Sequence, residues 1–340
     1  MERNRIYLAV IIIVSLLGIA ADFAKWYPDS TGYVETTRYL FGYDGGARNE
    51  QRMIRPVTML LAGFIMPLVG DSYSFALVNA AFWIASAVLM YVFTLRLLGR
   101  KELSLFAAIL FTTSMPLLRY GSAVLTDMGG YFFVLLTFYL LLDFDREMRI
   151  REIAWMGILL AIGILTREHV GVLLLLYLLF INLAGKRNIR NSILLIFIAS
   201  SIPFLYYIAV GTDPFYHFLN QPDVGYDYTV GWGPLSFILS MAGAFLILPI
   251  FSVIGLKYEK NKRPYLLMLA SMLPVLLIWP VMDYRFSFMA SPLVMPLAAS
   301  GIDRFARKLP FRKPRYLELL LVLSYAAACF LYVAIRHGLS

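Results

Sequence analysis

Eleven mainly apolar runs, each close to the length of a bilayer-crossing helix, divide this chain and leave little room for any other fold. They cover residues 6–22, 73–97, 103–119, 124–143, 152–166, 169–184, 191–210, 231–256, 264–281, 286–302 and 316–335. A spanning helix needs about 20 mainly apolar residues. Of the 340 residues, 60% are hydrophobic and 15% charged, with mean hydropathy +0.73; soluble domains lie near 45–50% and 25%. The expected fold is all-α and polytopic, with about 11 transmembrane helices. A net charge of +9 would suggest nucleic acid in a soluble protein. Here it reads as loop lysine and arginine, and no nucleic-acid partner is expected. The one cysteine, Cys329, lies inside an apolar run and has no partner for an internal disulfide. P-loop, HExxH and CxxC patterns are absent.

A further apolar run, 56–70, is short and holds Pro56 and Pro67. Charge decides its place. If it does not cross, 21 of the 30 lysines and arginines fall on the side of the N-terminus; if it crosses, the bias reverses. The positive-inside rule makes it an interfacial or re-entrant helix on the outer side, with topology N-in, C-out. Arg167-Glu168-His169 interrupts the stretch 153–184 between the basic flanks Arg151 and Lys186, which fits two short crossings with an outer turn. The N-terminal run reads as a retained helix; the alternative is a signal peptide cut near Ala20-Ala21. Both place Asp22 outside. The chain reads as one domain, 1–340, with no separate soluble domain.

The outer loop 22–72 is the longest polar gap and the richest in ionisable groups, among them Asp29, Asp44, Arg52 and Arg55. A second outer loop, 211–230, carries five aromatics, three aspartates and His217. Arg55, Arg119, Arg167 and Arg285 sit close to expected helix ends. Ionisable groups at that depth are costly and point to a functional site. An arginine there suits a lipid phosphate, and a neighbouring carboxylate suits a base for an incoming hydroxyl.

PDSTGYVETTRYLF and RMIRPVTMLLAGF resemble the first outer loop of C-type (GT-C) glycosyltransferases. The resemblance continues at Leu125-Thr126-Asp127, at Gly163-Ile164-Leu165-Thr166-Arg167-Glu168, and at Asp283-Tyr284-Arg285-Phe286 before Pro292 and Pro296. It is similar to protein mannosyltransferase and aminoarabinose transferase relatives over nearly the whole chain. It implies an inverting transfer of a sugar, mannose first, from a polyprenyl or dolichyl phosphate to an acceptor hydroxyl. That acceptor is a glycan, a lipid-linked glycan or a protein. Asp29 matches the catalytic aspartate and Arg285 the donor-phosphate position, with Arg55 and Arg167 as weaker matches. Asp127, Glu168 and Asp44 are accessory acids. The resemblance places the site on the outer face of a prokaryotic plasma membrane, or in the ER lumen of a eukaryote. The loop has Asp-Ser where protein mannosyltransferases have Asp-Glu.

Plainer readings stand beside these. Asp29 heading Ser30-Thr31 is also a helix cap, Tyr43-Asp44-Gly45-Gly46 a turn, Arg167-Glu168 a solvated turn, and Arg285 an ion pair of Asp283 or a snorkelling side chain. His169 and His217 are candidate metal ligands without motif spacing, and Mg²⁺ or Mn²⁺ held by oxygens is the other metal option. A transporter or flippase, or a lipid-linked glycan ligase or polymerase of another fold, is the alternative function. Ionisable groups gathered at the outer boundary rather than the midplane argue against the transporter.

Overall fold

A computed structural model describes residues 2–21, 23–144, 148–184, 188–213, 234–278, 284–310 and 313–338. Every regular element among them is helical. α1 (Glu2–Ala21) leads into the short helices α2 (Ser30–Phe41), α3 (Glu50–Met53) and α4 (Pro56–Val69). Then come α5 (Asp71–Leu98), α6 (Lys101–Thr112), α7 (Met115–Tyr120), α8 (Asp127–Leu141), α9 (Ile150–Thr166), α10 (His169–Leu183) and α11 (Ile189–Val210). The last part holds α12 (Pro234–Phe245), α13 (Leu248–Tyr258), α14 (Arg263–Ile278), α15 (Tyr284–Ser287), α16 (Ser291–Lys308) and α17 (Pro314–Gly338).

Length and composition qualify α1, α5, α11 and α17 to cross a bilayer. α12 and α13 qualify as a pair, but with an 88° bend between them. α4, α8, α10 and α14 are apolar but shorter. The apolar runs therefore become helices without each becoming one straight rod. The run 231–256 breaks at Leu246, which adopts φ 52 before Pro249 opens the next helix. The run 103–119 divides into α6 and α7. There Thr113 and Ser114 turn their hydroxyls back to the carbonyls of Ile109 and Phe111, both at 2.7 Å, and Pro116 enters the next first turn.

The outward faces are apolar. On α11, Phe197 and Leu205 are 67% and 65% exposed, a surface that water would not tolerate but hydrocarbon solvates. The chain is an integral membrane protein. Its interior is close-packed. Trp83 of α5 is fully buried, donates Nε1–H to Thr112 at 2.6 Å, and lies against Gly18 of α1 and Gly121 after α7, where no larger side chain fits. α13 and α16 cross at Gly255 and Gly301, and a methyl on either glycine would strike a backbone carbonyl of the other helix. Ser252 donates across the same crossing to the Val294 carbonyl at 2.9 Å. Small residues let backbones approach this way where lipid supplies no hydrophobic drive. One end of the bundle is tied by Asp303, which accepts from Arg100 at 2.7 and 2.9 Å and from Arg307 at 2.9 Å. The other end holds α2, α3 and the start of α4, against the beginnings of α8 and α10.

Candidate active site

Asp29 immediately precedes α2, but it does not cap the helix: its side chain makes no cap hydrogen bond. Ser30 makes the turn instead, its hydroxyl accepting from the Tyr27 N–H at 2.8 Å. The Asp29 carboxylate turns to Arg52, whose Nη2 donates to Oδ1 at 2.9 Å. Arg52 is held in α3, where Asn49 caps the helix through the Arg52 N–H at 3.2 Å. One turn into α2, on the face of Asp29, Tyr33 supports this pair. Arg52 lies over its ring at 4.4 Å and donates Nη1–H to its hydroxyl at 3.1 Å.

The Tyr33 hydroxyl is a junction. It also accepts from Arg55 at 3.4 Å and from Thr126 at 3.1 Å, and the side chain is 1% exposed. Burial alone would push this phenol up. Arg52, Arg167 and Arg55 outweigh it and bring it down to about 8. Arg55 stands before Pro56, which disfavours helical backbone at Arg55. Its guanidinium meets Glu168 in a fork, 2.8 Å from Nε to Oε2 and 2.5 Å from Nη2 to Oε1. Burial works against the Glu168 carboxylate, yet Arg55 holds it well below the usual carboxylate range.

Asp127 opens α8 at the positive end of the helix dipole. The bend before it is fixed by buried Asn79, which donates to the carbonyls of Ala123 at 2.7 Å and Leu125 at 2.8 Å. Asp127 Oδ1 accepts from Arg167 Nη2. Gly130 makes that pair possible: a Cβ there would lie 2.7 Å from the Arg167 stem. Arg285 closes the site from the far part of the chain. Its Nη1 lies 4.0 Å from Asp29 Oδ2 and 4.0 Å from Asp127 Oδ2. Its guanidinium sits 5.1 Å from the centre of the Tyr120 ring, and its backbone carbonyl accepts from Tyr131 at 2.9 Å. Among the described residues, four guanidiniums thus face three carboxylates. Asp29 is the most open of the three acids, its side chain 25% exposed against 7% for Asp127 and 18% for Glu168.

Residues 59–228, half of the chain, match the family described as dolichyl-phosphate-mannose-protein mannosyltransferase. The chain belongs to this family. It is a GT-C glycosyltransferase. Two crystal structures of ArnT from Cupriavidus metallidurans share the fold. The one bound to undecaprenyl phosphate has TM-score 0.68 at 14% identity, covering 99% of this chain and 72% of ArnT. The apo form has TM-score 0.63 at 14% identity, covering 98% and 71%. The oligosaccharyltransferase of Archaeoglobus fulgidus, tethered to an acceptor peptide containing the NVT sequon, has TM-score 0.61 at 15% identity. That likeness covers 96% of this chain and only 54% of the oligosaccharyltransferase. No curated protein sequence matches the chain.

Within this GT-C glycosyltransferase, Asp29, Arg55, Asp127, Arg167, Glu168 and Arg285 converge on one cluster. Asp44 is exposed past the C-terminal end of α2, a helix of 12 residues or about 18 Å, and donates no side chain to the cluster; its carbonyl accepts from Arg38 at 2.9 Å. His169 is buried next to Glu168, and among the described residues no three metal-ligating side chains gather. His217, Asp283 and nearly all of the second outer loop lie outside the described residues. Arg52, Tyr33, Tyr120 and Thr126 carry no role in the sequence reading. Arg52 and Arg55 are spaced i,i+3 in QRMIRP, and Asp29 and Tyr33 i,i+4; those spacings were the available signal.

Proposed function

We propose that this chain transfers a sugar, with mannose the first candidate, from a polyprenyl or dolichyl phosphate to an acceptor hydroxyl, with inversion. The observation that supports this reading is Arg285, 4.0 Å from both Asp29 and Asp127, in a cluster whose described residues hold one more guanidinium than carboxylates. Such a site favours an anion, and the excess grows in value as charge develops on a departing phosphate. The Asp29 carboxylate takes the proton of the acceptor hydroxyl. The acceptor oxygen bonds to the anomeric carbon as the bond from that carbon to the phosphate oxygen breaks. The electron pair leaves on the lipid phosphate, where Arg285 meets the new charge and Arg167 and Arg55 reinforce it. Arg52 orients the base. Arg285 is a cation within 4.0 Å of both Asp29 and Asp127, and the proposed steps are carried by it without assigning one to Mg²⁺ or Mn²⁺. The charge bias of the loops supports a site on the non-cytoplasmic face. There, a lipid-borne donor replaces the nucleotide sugars of the cytoplasm.

Purified protein incubated with a panel of polyprenyl-phosphate sugars and a panel of hydroxyl-bearing acceptors (glycan, lipid-linked glycan and peptide), followed by mass analysis of lipid and acceptor, tests the proposal. Release of the lipid phosphate with formation of an inverted glycoside is expected, and EDTA should leave the rate unchanged. Failure with every lipid-phosphate sugar, alongside intact folding, would refute it.

A further inference from the structure

α10 leaves the site at His169 and runs about 22 Å to Leu183. α14 packs against it, and its first turns meet the last turns of α10. At that end, away from the site, the two helices part around a groove of about 610 Å³. Phe180, Leu183, Leu266, Leu267 and Ala270 form its apolar wall, and Arg263 lines the end where α14 begins. Leu183 and Leu266 are 71% and 51% exposed, so the groove opens sideways toward hydrocarbon. Lys260 and Lys262, both exposed, lead into Arg263, and the first turn of α14 adds the positive end of its dipole. Glu259, the nearest acid in sequence, accepts from Ser300 on α16 at 2.8 Å.

We propose that this groove binds one anionic phospholipid of the leaflet on that face, with an acyl chain along the apolar wall and its phosphate on Arg263. The volume suits a small molecule and not a packed helix. A water-borne anion has no use for the apolar wall, and a neutral lipid has none for the basic rim. Arg263 stands where a phosphate at headgroup depth meets the hydrocarbon edge, and such basic clusters attract anionic lipid.

Native mass spectrometry of the full-length protein tests this. The protein is equilibrated in detergent with equal amounts of phosphatidylglycerol, phosphatidylcholine and undecaprenyl phosphate. Phosphatidylglycerol is expected to persist at collision energies that strip phosphatidylcholine. Losing a charge-assisted phosphate contact in Arg263→Gln should lower that adduct about tenfold. Ala270→Trp fills the groove while keeping Arg263, and should lower it as well, so the test does not depend on one variant folding. Arg190→Gln, outside the groove, should leave it unchanged. Equal retention of phosphatidylcholine, or a phosphatidylglycerol adduct unaffected by both groove variants, would overturn the proposal; undecaprenyl phosphate retained equally by the groove variants reports the active site and leaves the comparison of the two phospholipids intact.

Discussion

Arg285 faces Asp29 across 4.0 Å, although the two residues come from opposite ends of the chain. The contact is longer than a hydrogen bond, whereas Arg52 holds the same carboxylate at 2.9 Å. One arginine thus orients the acid, and the other stands off from it beyond hydrogen-bond distance.

Asp29→Asn keeps the shape of the site and removes the group proposed above as the proton acceptor. Turnover should fall by about 10²–10⁴, with binding of a lipid-phosphate donor retained. Single-turnover rates and donor binding measured on the same preparation check this. A transporter in which Asp29 merely orders α2 would keep working.

Tyr33 titrates near 8 rather than 10.0. A depressed acid of this kind adds stability above the unfolded value and loses it as pH falls through the folded one. Relative to Tyr33→Phe, the protein should therefore gain about 2–3 kcal/mol between pH 8 and 10 and nothing below about 7. Thermal unfolding of both forms across that window measures the gain. The near-ultraviolet difference spectrum should show one tyrosinate appearing near pH 8.

Arg55 and Glu168 form a buried pair, 5% and 18% exposed. Arg55→Leu strands the carboxylate and should cost about 3–5 kcal/mol. Arg55→Leu with Glu168→Leu should recover most of that stability without recovering turnover. Denaturation midpoints and rates of the single and double variants make the comparison.

Gly130→Ala places a methyl against the stem of Arg167 and pushes the guanidinium off Asp127. Turnover is expected to drop about tenfold for a displacement of this size, and the melting temperature should fall as well, because Asp127 and Arg167 are at least as buried as the Arg55–Glu168 pair. An unaltered rate would show that the pairing tolerates the shift.

The apolar runs made the helical, membrane-embedded fold legible, because length and hydropathy survive any packing. Where helices break was less legible. Pro116 and Pro249 are visible in the sequence, but the turn at Leu246 is set by how α12 and α13 pack. Asp29, Arg55 and Arg285 stood out through their neighbours in the chain and the family resemblance. Tyr33 did not, since a tyrosine in an aromatic-rich loop looks like interface until three donors are seen on its hydroxyl. Arg52 is one of five basic residues between Asp22 and Pro56, and its spacing from Arg55 alone did not single it out. Asp44 misled because composition marks a loop as polar without saying which acid folds inward.

The crossing of Gly255 and Gly301 matters beyond the two helices it joins. α16 begins six residues after Arg285, so wherever that crossing seats the helix, it also seats the guanidinium. Bulk added at either glycine would act at a distance: the bundle could still assemble with its middle wedged apart, and a reaction centre many ångströms away would lose its alignment.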